Sequence, residues 1–109
     1  MTKERCLMKT IMLVCAAGVS TGMLVSNMQK AAKEKDVETD IFAVSPNEAD
    51  GYLSTKEIDI VLLGPQVKFL KDQLKEKISS KNIPIEIIDM RDFEHMDGAA
   101  ILDRALKLV

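Results

Sequence analysis

The chain has 109 residues, enough for one domain with an ordinary hydrophobic core. Hydrophobic residues make up 47% and charged residues 29% of it, a globular balance that excludes wholesale disorder. The net charge of −2 and the scarcity of aromatic side chains argue against nucleic-acid binding, and no apolar run approaches the roughly 20 residues that span a bilayer. Two cysteines, Cys6 and Cys15, are too few for a disulfide framework and favour a reducing, cytoplasmic setting.

The amino-terminal segment is charged, and residues 1–9 are predicted to form a flexible extension ahead of a single domain at 10–109. Lys3, Arg5 and Lys9 precede a short apolar run, a pattern that superficially resembles a secretory signal. The run leads directly into a helical pattern, however, and cleavage there would remove the most apolar strand of the domain. We therefore interpret the run as part of the fold.

Strand and helix patterns alternate along the domain. Continuous apolar stretches predict strands covered on both faces, and apolar residues at helical spacing predict amphipathic helices. The sequence Ser45-Pro46-Asn47-Glu48 is a capping box with proline at the first helical position. The predicted elements, in chain order, are a strand at 10–14, a helix from 21, a strand at 37–44, a helix from 46 to about 55, a strand at 58–63, a helix from 65 with the apolar stripe Val67, Leu70, Leu74 and Ile78, a strand at 85–88, and a last helix capped near Asp97.

This alternation predicts an α/β fold, because strands joined through helices pair in parallel by right-handed crossovers. The first and third strands are the most apolar and belong in the centre, whereas the second and fourth carry charges and belong at the edges. The prediction is a doubly wound four-stranded parallel sheet in the order 2-1-3-4, with helices on both faces. Ligands of such sheets bind at the switch point, here between the first and third strands, where the loop after Val14 should meet a second loop formed by Gly64, Pro65 and Gln66.

The loop after the first strand is the candidate reactive site. Cys15 stands where a buried strand gives way to a small-residue turn and a helix amino terminus, whose backbone N–H groups favour an anion. Such a setting stabilises a thiolate and can hold a phosphate attached to it. The alternative interpretation is a small buried cysteine at a strand end. The predicted phosphate-binding loop comprises Ala16, Ala17, Gly18, Val19, Ser20 and Thr21.

At these residues the sequence resembles a known family. The segment Val14–Thr21 is similar to the signature of the IIB subunits of bacterial phosphotransferase sugar-transport systems, in the lactose/cellobiose class. Further matches are Leu24–Val25, Val61–Gln66 and Ile88–Asp89, so the resemblance covers nearly all of residues 10–109.

The resemblance implies a phosphoryl carrier. In that family the cysteine accepts a phosphoryl group from a phosphohistidine of a IIA protein and passes it to a sugar taken up through the membrane subunit IIC. It therefore implies that Cys15 is the catalytic residue and a transient phosphocysteine, exposed enough to meet donor and acceptor in turn. It also implies a β-linked disaccharide or β-glucoside as the sugar, no cofactor, and a cytoplasmic protein that contacts the inner face of the membrane through IIC. We expect no metal site, because His95, a lone histidine beside Glu94, is more typical of a surface or loop position than of a metal ligand.

Two other functions fit parts of the pattern. Low-molecular-weight tyrosine phosphatases use a similar strand, loop and helix, but they require an arginine where this chain has Thr21, and neither lysine nor arginine occurs from Cys15 through Gln29. Without that cation a phosphocysteine should resist water and wait for a partner, so transfer is favoured over hydrolysis. A receiver-like signalling module needs an aspartate at the end of the third strand, where Leu62, Leu63 and Gly64 stand.

Overall fold

A computed structural model describes residues 9–15, 20–78 and 81–108 of the chain. It contains a four-stranded parallel sheet in the order β2-β1-β3-β4, which confirms the predicted fold class and strand order. The elements are β1 (Lys9–Val14), α1 (Ser20–Glu34), β2 (Thr39–Val44), α2 (Pro46–Thr55), β3 (Ile60–Leu63), a 3₁₀ helix (Pro65–Leu70), α3 (Lys71–Lys77), β4 (Ile85–Ile87), α4 (Met90–Glu94) and α5 (Gly98–Leu108). Residues 1–8, with Cys6, lie outside the described residues, so their flexibility stays a prediction, whereas Lys9, which was expected in the extension, is the first residue of β1.

The four strands end level with one another. Val14 of β1 pairs with Val44 of β2 and with Leu63 of β3, and Leu63 pairs with Ile87 of β4. Since the strands are parallel, every segment that follows a strand leaves from this same edge of the sheet. We call it the carboxyl edge, and it contains the switch point between β1 and β3.

Two hydrophobic cores cover the two faces of the sheet, because alternate side chains of a strand point to opposite faces. One core joins β1 to α1 and α5, and the other joins β1 to α2 and α3. The buried residues of the first are Ile11, Leu13, Cys15, Leu24, Met28, Ala31, Ala32, Ile41, Ile60, Leu62, Ile88, Ile101, Leu102 and Ala105. Those of the second are Met12, Val14, Val44, Ala49, Leu53, Ile58, Val61, Leu63, Val67, Leu74 and Ile78.

Polar side chains accompany both edge strands. Beside β2, Gln29 Nε2 donates to the carbonyl of Ile41 at 3.3 Å, and Lys56 lies 2.9 Å from a carboxylate oxygen of Asp40. On β4, Glu86 Oε2 accepts from Arg104 Nε at 2.6 Å, and this hydrogen bond and the Glu86 charge raise the pKa of the Arg104 guanidinium. The charges that marked these strands as edges in the sequence therefore bind neighbouring elements.

Helices α1 and α5 meet at a glycine. A Cβ added to Gly98 would lie 2.5 Å from both the Asn27 carbonyl carbon and the Met28 nitrogen, well inside van der Waals contact. The carboxamide of Asn27 also donates to the Met96 carbonyl at 2.9 Å, just before α5 begins. Only a residue without a side chain permits this approach of the two helices.

The predicted helix from residue 65 is wrong in detail. The structure has a 3₁₀ helix followed by α3, and the backbone is non-helical at Val67, with φ −117° and ψ 24°. The break allows Val67 to stay buried against the sheet, and Leu74 and Ile78 continue the same core as predicted. A continuous α-helix from Pro65 is therefore replaced by a 3₁₀ helix and a short α-helix.

The short helix α4 was absent from the predicted elements. Asp89 lies two residues after the end of β4 and caps this helix, since its Oδ1 accepts from the Arg91 N–H at 2.8 Å. A helix this short buries no residue completely and shows no apolar period in the sequence. The caps ahead of the longer helices were more informative: in the capping box of α2, Glu48 Oε1 accepts from the Ser45 N–H at 3.1 Å, and ahead of α5, Asp97 Oδ1 accepts from the Ala100 N–H at 3.1 Å.

Candidate functional site

Cys15 stands at the carboxyl edge, between the two neighbouring strands of β1. Its N–H donates to the Val44 carbonyl at 3.1 Å, which extends the pairing with β2 by one residue. On the other side, the N–H of Gly64 donates to the Val14 carbonyl at 2.9 Å. The structure therefore places Cys15 and Gly64 next to each other at the switch point between β1 and β3.

The Cys15 side chain is buried, with 3% of the residue exposed. The expectation that it is exposed enough to meet a donor is therefore not met in this conformation. The alternation of β1 explains why: Cys15 shares a face with Ile11 and Leu13, and α1 and α5 cover that face. The sulfur lies at the outermost position of this core, where the strand ends.

The second loop contacts the sulfur directly. A Cβ added to Gly64 would lie 3.1 Å from Cys15 Sγ and 3.2 Å from Gln66 Oε1. The sulfur and the Gln66 carboxamide therefore occupy the space beside Gly64 from which a side chain is missing. Pro65 is buried below the loop, whereas Gln66 itself is exposed. Of the predicted site residues, Cys15, Gly64 and Gln66 are thus brought together.

The predicted phosphate-binding loop is only partly described. Ala16, Ala17, Gly18 and Val19 lie outside the described residues, as do the side chains of Ser20 and Thr21. Helix α1 begins at Ser20, so its amino terminus follows Cys15 closely in the chain, as the predicted arrangement of the loop requires. The cradle of backbone amides itself stays a prediction.

The amino terminus of α1 carries no compensating charge. Its first turn has no acidic residue, and neither lysine nor arginine occurs in the sequence from Cys15 through Gln29. The unpaired N–H groups of a first helical turn amount to about half a positive charge, and no carboxylate of that turn neutralises it. The local field therefore favours an anion while providing no permanent cation.

Several exposed hydrophobic side chains belong to elements that follow a strand at the carboxyl edge, and the sequence patterns identified only Met23 as a candidate docking residue. Met23 in the first turns of α1, Phe69 in the 3₁₀ helix and Met90 at the start of α4 are 61%, 72% and 53% exposed. Each belongs to an element that follows a strand at the carboxyl edge. For Phe69 and Met90, the signal that could have identified them was an apolar residue just after a strand, outside the buried stripe of its helix.

Neither a metal centre nor a membrane span emerges from the described part of the chain. Within residues 9–15, 20–78 and 81–108, no cluster of three or more His, Cys, Asp or Glu side chains could hold a metal ion. His95 is exposed at the carboxyl end of α4. In the same ranges, no helix is both long enough and apolar enough to cross a membrane.

The level strand ends, the cysteine at the switch point and the adjacent glycine loop agree with the comparison to known families: the chain is a IIB component of a sugar phosphotransferase system. Such components are parts of a phosphotransferase and work with IIA and IIC subunits. Residues 10–104 match the model of the family described as "PTS system, Lactose/Cellobiose specific IIB subunit", and the chain belongs to that family.

Named relatives agree with this assignment. The galactose-specific EIIB component of Lactococcus lactis subsp. cremoris is 41% identical over 104 residues, covering 93% of this chain and 96% of the relative. The cellobiose-specific EIIB component of Lactococcus lactis subsp. lactis is 40% identical with the same coverage. Among solved structures, the cellobiose-specific IIB component of Borrelia burgdorferi superposes with a TM-score of 0.74 at 39% identity, covering 93% of this chain and 91% of that one.

Proposed function

We propose that this chain carries phosphoryl groups on Cys15, from a phosphohistidine of a IIA protein to a sugar at the membrane subunit IIC. The observation that carries the proposal is the position of Cys15 at the switch point of a IIB-family chain, beside Gly64 and ahead of α1. Ligands of doubly wound sheets bind at this point, and a thiolate is a competent nucleophile toward phosphorus.

The relay consists of two displacements at phosphorus. In the first, the Cys15 thiolate attacks the phosphoryl group of a phosphohistidine whose other ring nitrogen carries a proton; the N–P bond breaks, an S–P bond forms, and the histidine leaves as neutral imidazole. In the second, a sugar hydroxyl attacks, the S–P bond breaks, an O–P bond forms, and the thiolate is regenerated while the hydroxyl proton passes to a base on the acceptor side. Backbone amides of residues 16–21 would hold the phosphoryl oxygens in both steps, since such transfers depend on positioning and charge stabilisation.

The sulfur must be uncovered for either displacement, because it is 3% exposed in this conformation. We assign this step to the encounter with the partner. Burial then has a benefit between encounters, since a sulfur with little exposure is protected from water and oxidants. The rate of thiol labelling in the isolated chain, compared with the rate in the presence of IIA, measures this access.

The carboxyl edge supplies a surface on which a partner can dock. Met23, Phe69 and Met90 expose apolar area on elements that follow a strand at the edge that contains Cys15, and apolar residues of this kind are the anchors of protein interfaces. We propose that IIA and IIC use this surface in turn, which places the chain in the cytoplasm and, transiently, at the inner face of the membrane. One surface for two partners requires that their binding be mutually exclusive.

We propose β-linked disaccharides or β-glucosides as the class of sugar. The two relatives above are named for galactose and cellobiose, yet they are 41% and 40% identical to this chain. Overall similarity thus does not separate the sugars, which agrees with selection of the sugar by the membrane subunit.

The test is incubation of the purified chain with phosphorylated IIA, followed by mass spectrometry that locates the phosphoryl group. We expect one added phosphoryl group on Cys15 of the wild type and none on Cys15→Ser, with Cys6→Ser labelled like the wild type. Phosphate on another residue, or sugar phosphorylation supported by Cys15→Ser, would refute the assignment. Left without sugar, the labelled chain should keep its phosphate; rapid release of inorganic phosphate would instead indicate the phosphatase-like alternative.

A further inference from the structure

We propose that the Gln66 carboxamide is the side-chain partner of the reactive sulfur, and that it serves both states of the site. In the resting state its Oε1 and the Cys15 sulfur both lie beside the position of a Gly64 Cβ. After rotation of the carboxamide, its Nε2 donates to the thiolate or to an oxygen of the phosphoryl group on the sulfur. The phosphoryl part of this inference rests on the proposed function, whereas the thiol part does not.

The path of the second loop directs Gln66 toward the sulfur. Pro65 and Val67 on either side of it are buried, so the backbone at Gln66 is held between two fixed points. Gln66 is exposed, yet its Oε1 lies 3.2 Å from the position of a Gly64 Cβ, the same position that is 3.1 Å from Cys15 Sγ. The side chain therefore reaches back to Gly64, the residue that the sulfur also approaches, although solvent is open to it.

Glycine at position 64 makes this approach possible. Its φ of −62° and ψ of 151° are extended values that any residue adopts, so the backbone does not require glycine. The requirement is space, because a Cβ would be crowded by both the sulfur and the carboxamide oxygen. The sulfur and the carboxamide oxygen occupy the space that a side chain at position 64 would need. We infer that the absence of this side chain allows both groups to approach the same point for a functional reason.

The chemistry of a carboxamide suits a sulfur that changes state. A thiol is a weak donor, whereas a thiolate and a phosphoryl oxygen are acceptors, so the partner must be able to accept in one state and donate in the other. A glutamine does both by rotating its terminal group, and it remains neutral throughout. A lysine or arginine at this position would be a permanent cation beside the phosphoryl group, like the arginine of the phosphatase loop.

The first experiment measures the contact itself and needs no phosphoryl donor. In a Cys6→Ser background, the ¹³C chemical shift of Cys15 Cβ is followed against pH by NMR. Gln66→Glu places a carboxylate beside the sulfur, and we expect it to move the midpoint of the thiol titration upward by about one pH unit. Gln73→Glu makes the same change at another exposed glutamine, on α3, and should leave the midpoint unchanged. An unchanged midpoint in Gln66→Glu, or equal shifts in the two variants, would overturn the proposal.

The second experiment tests the phosphoryl state. Gln66→Leu keeps the bulk of the side chain but removes its donor, and we expect about a tenfold loss in the rate of phosphoryl transfer through Cys15. Gln73→Leu should transfer at the wild-type rate. Wild-type transfer by Gln66→Leu would refute the contact with the phosphoryl group. A wild-type chain that never takes phosphate on Cys15 would instead refute the proposed function, and the NMR titration would still decide whether Gln66 contacts the thiol.

Discussion

Adding one methyl group at Gly64 should impair the reaction while leaving the fold intact. The new Cβ of Gly64→Ala would lie 3.1 Å from Cys15 Sγ and 3.2 Å from Gln66 Oε1, closer than ordinary van der Waals contact. Both atoms are at the ends of side chains, so they can move aside by a few tenths of an ångström. The displaced atoms are the ones that we assign to the reaction.

The expected change in stability is small. Alanine fits the extended backbone at this position and reduces the entropy of the unfolded chain, a gain of about 0.4–1 kcal/mol. Crowding of the sulfur lowers the free energy of unfolding by about 1 kcal/mol, the lower end of the usual cost of overpacking, and so offsets this gain. The free energy of unfolding should therefore stay within about 1 kcal/mol of the wild type. The transfer rate should fall by roughly tenfold to a hundredfold, because small errors in the position of a reacting atom are costly.

The assay pairs urea denaturation with quenched-flow measurement of phosphoryl transfer from phosphorylated IIA. Gly51→Ala is the matched control, since a Cβ at Gly51 would meet nothing within 4 Å and the residue lies inside helix α2. It should raise the free energy of unfolding by about 0.5–1 kcal/mol with no effect on transfer. A folded Gly64→Ala that transfers phosphate at the wild-type rate would show that the space beside Gly64 has no part in the reaction.

Three further substitutions test the fold and the docking surface. Gly98→Ala should lower the free energy of unfolding by about 2–3 kcal/mol in urea, because its Cβ would lie 2.5 Å from the backbone of α1; unchanged stability would contradict the close approach of the helices. Asp89→Ala should cost about 1 kcal/mol through loss of the cap on α4, whereas Asp89→Asn should restore most of it. Phe69→Ser should leave stability within about 0.5 kcal/mol, since Phe69 is 72% exposed, but should raise the KM for phosphorylated IIA about fivefold or more; an unchanged KM would remove Phe69 from the docking surface.

Most of the fold could be predicted because the hydrophobicity of the strands and the rules for parallel crossovers led to the same strand order. The apolar strands had to be central and the charged strands had to be edges, and parallel crossovers left one simple order, which the structure confirms. The boundaries were less accurate for local reasons. Residue 58 was expected to begin a strand, but the strand begins at Ile60, because Asp59 pairs with Thr10 partly through its side chain, whose Oδ2 accepts from the Thr10 N–H at 2.7 Å.

The candidate site was predictable in position but not in detail. The switch point follows from strand order alone, and it identified Cys15, Gly64 and Gln66 before any coordinates. The burial of Cys15 could also have been read from the alternation of β1, which places it on the face of Ile11 and Leu13. The contact between the sulfur and the second loop could not be predicted from the sequence, since it depends on the exact path of the backbone at Gly64.

Because successive residues of β1 face opposite cores, the sulfur belongs to only one of the two cores of this small protein. The layer formed by α2 and α3 packs against Met12 and Val14 and does not include the sulfur, although Val67 in the same core anchors the second loop. Substitutions among its other buried residues, such as Leu53 or Leu74, can raise or lower stability without touching the atoms that meet a phosphate. Natural variation and laboratory redesign can therefore adjust heat tolerance at those positions while the site keeps its chemistry.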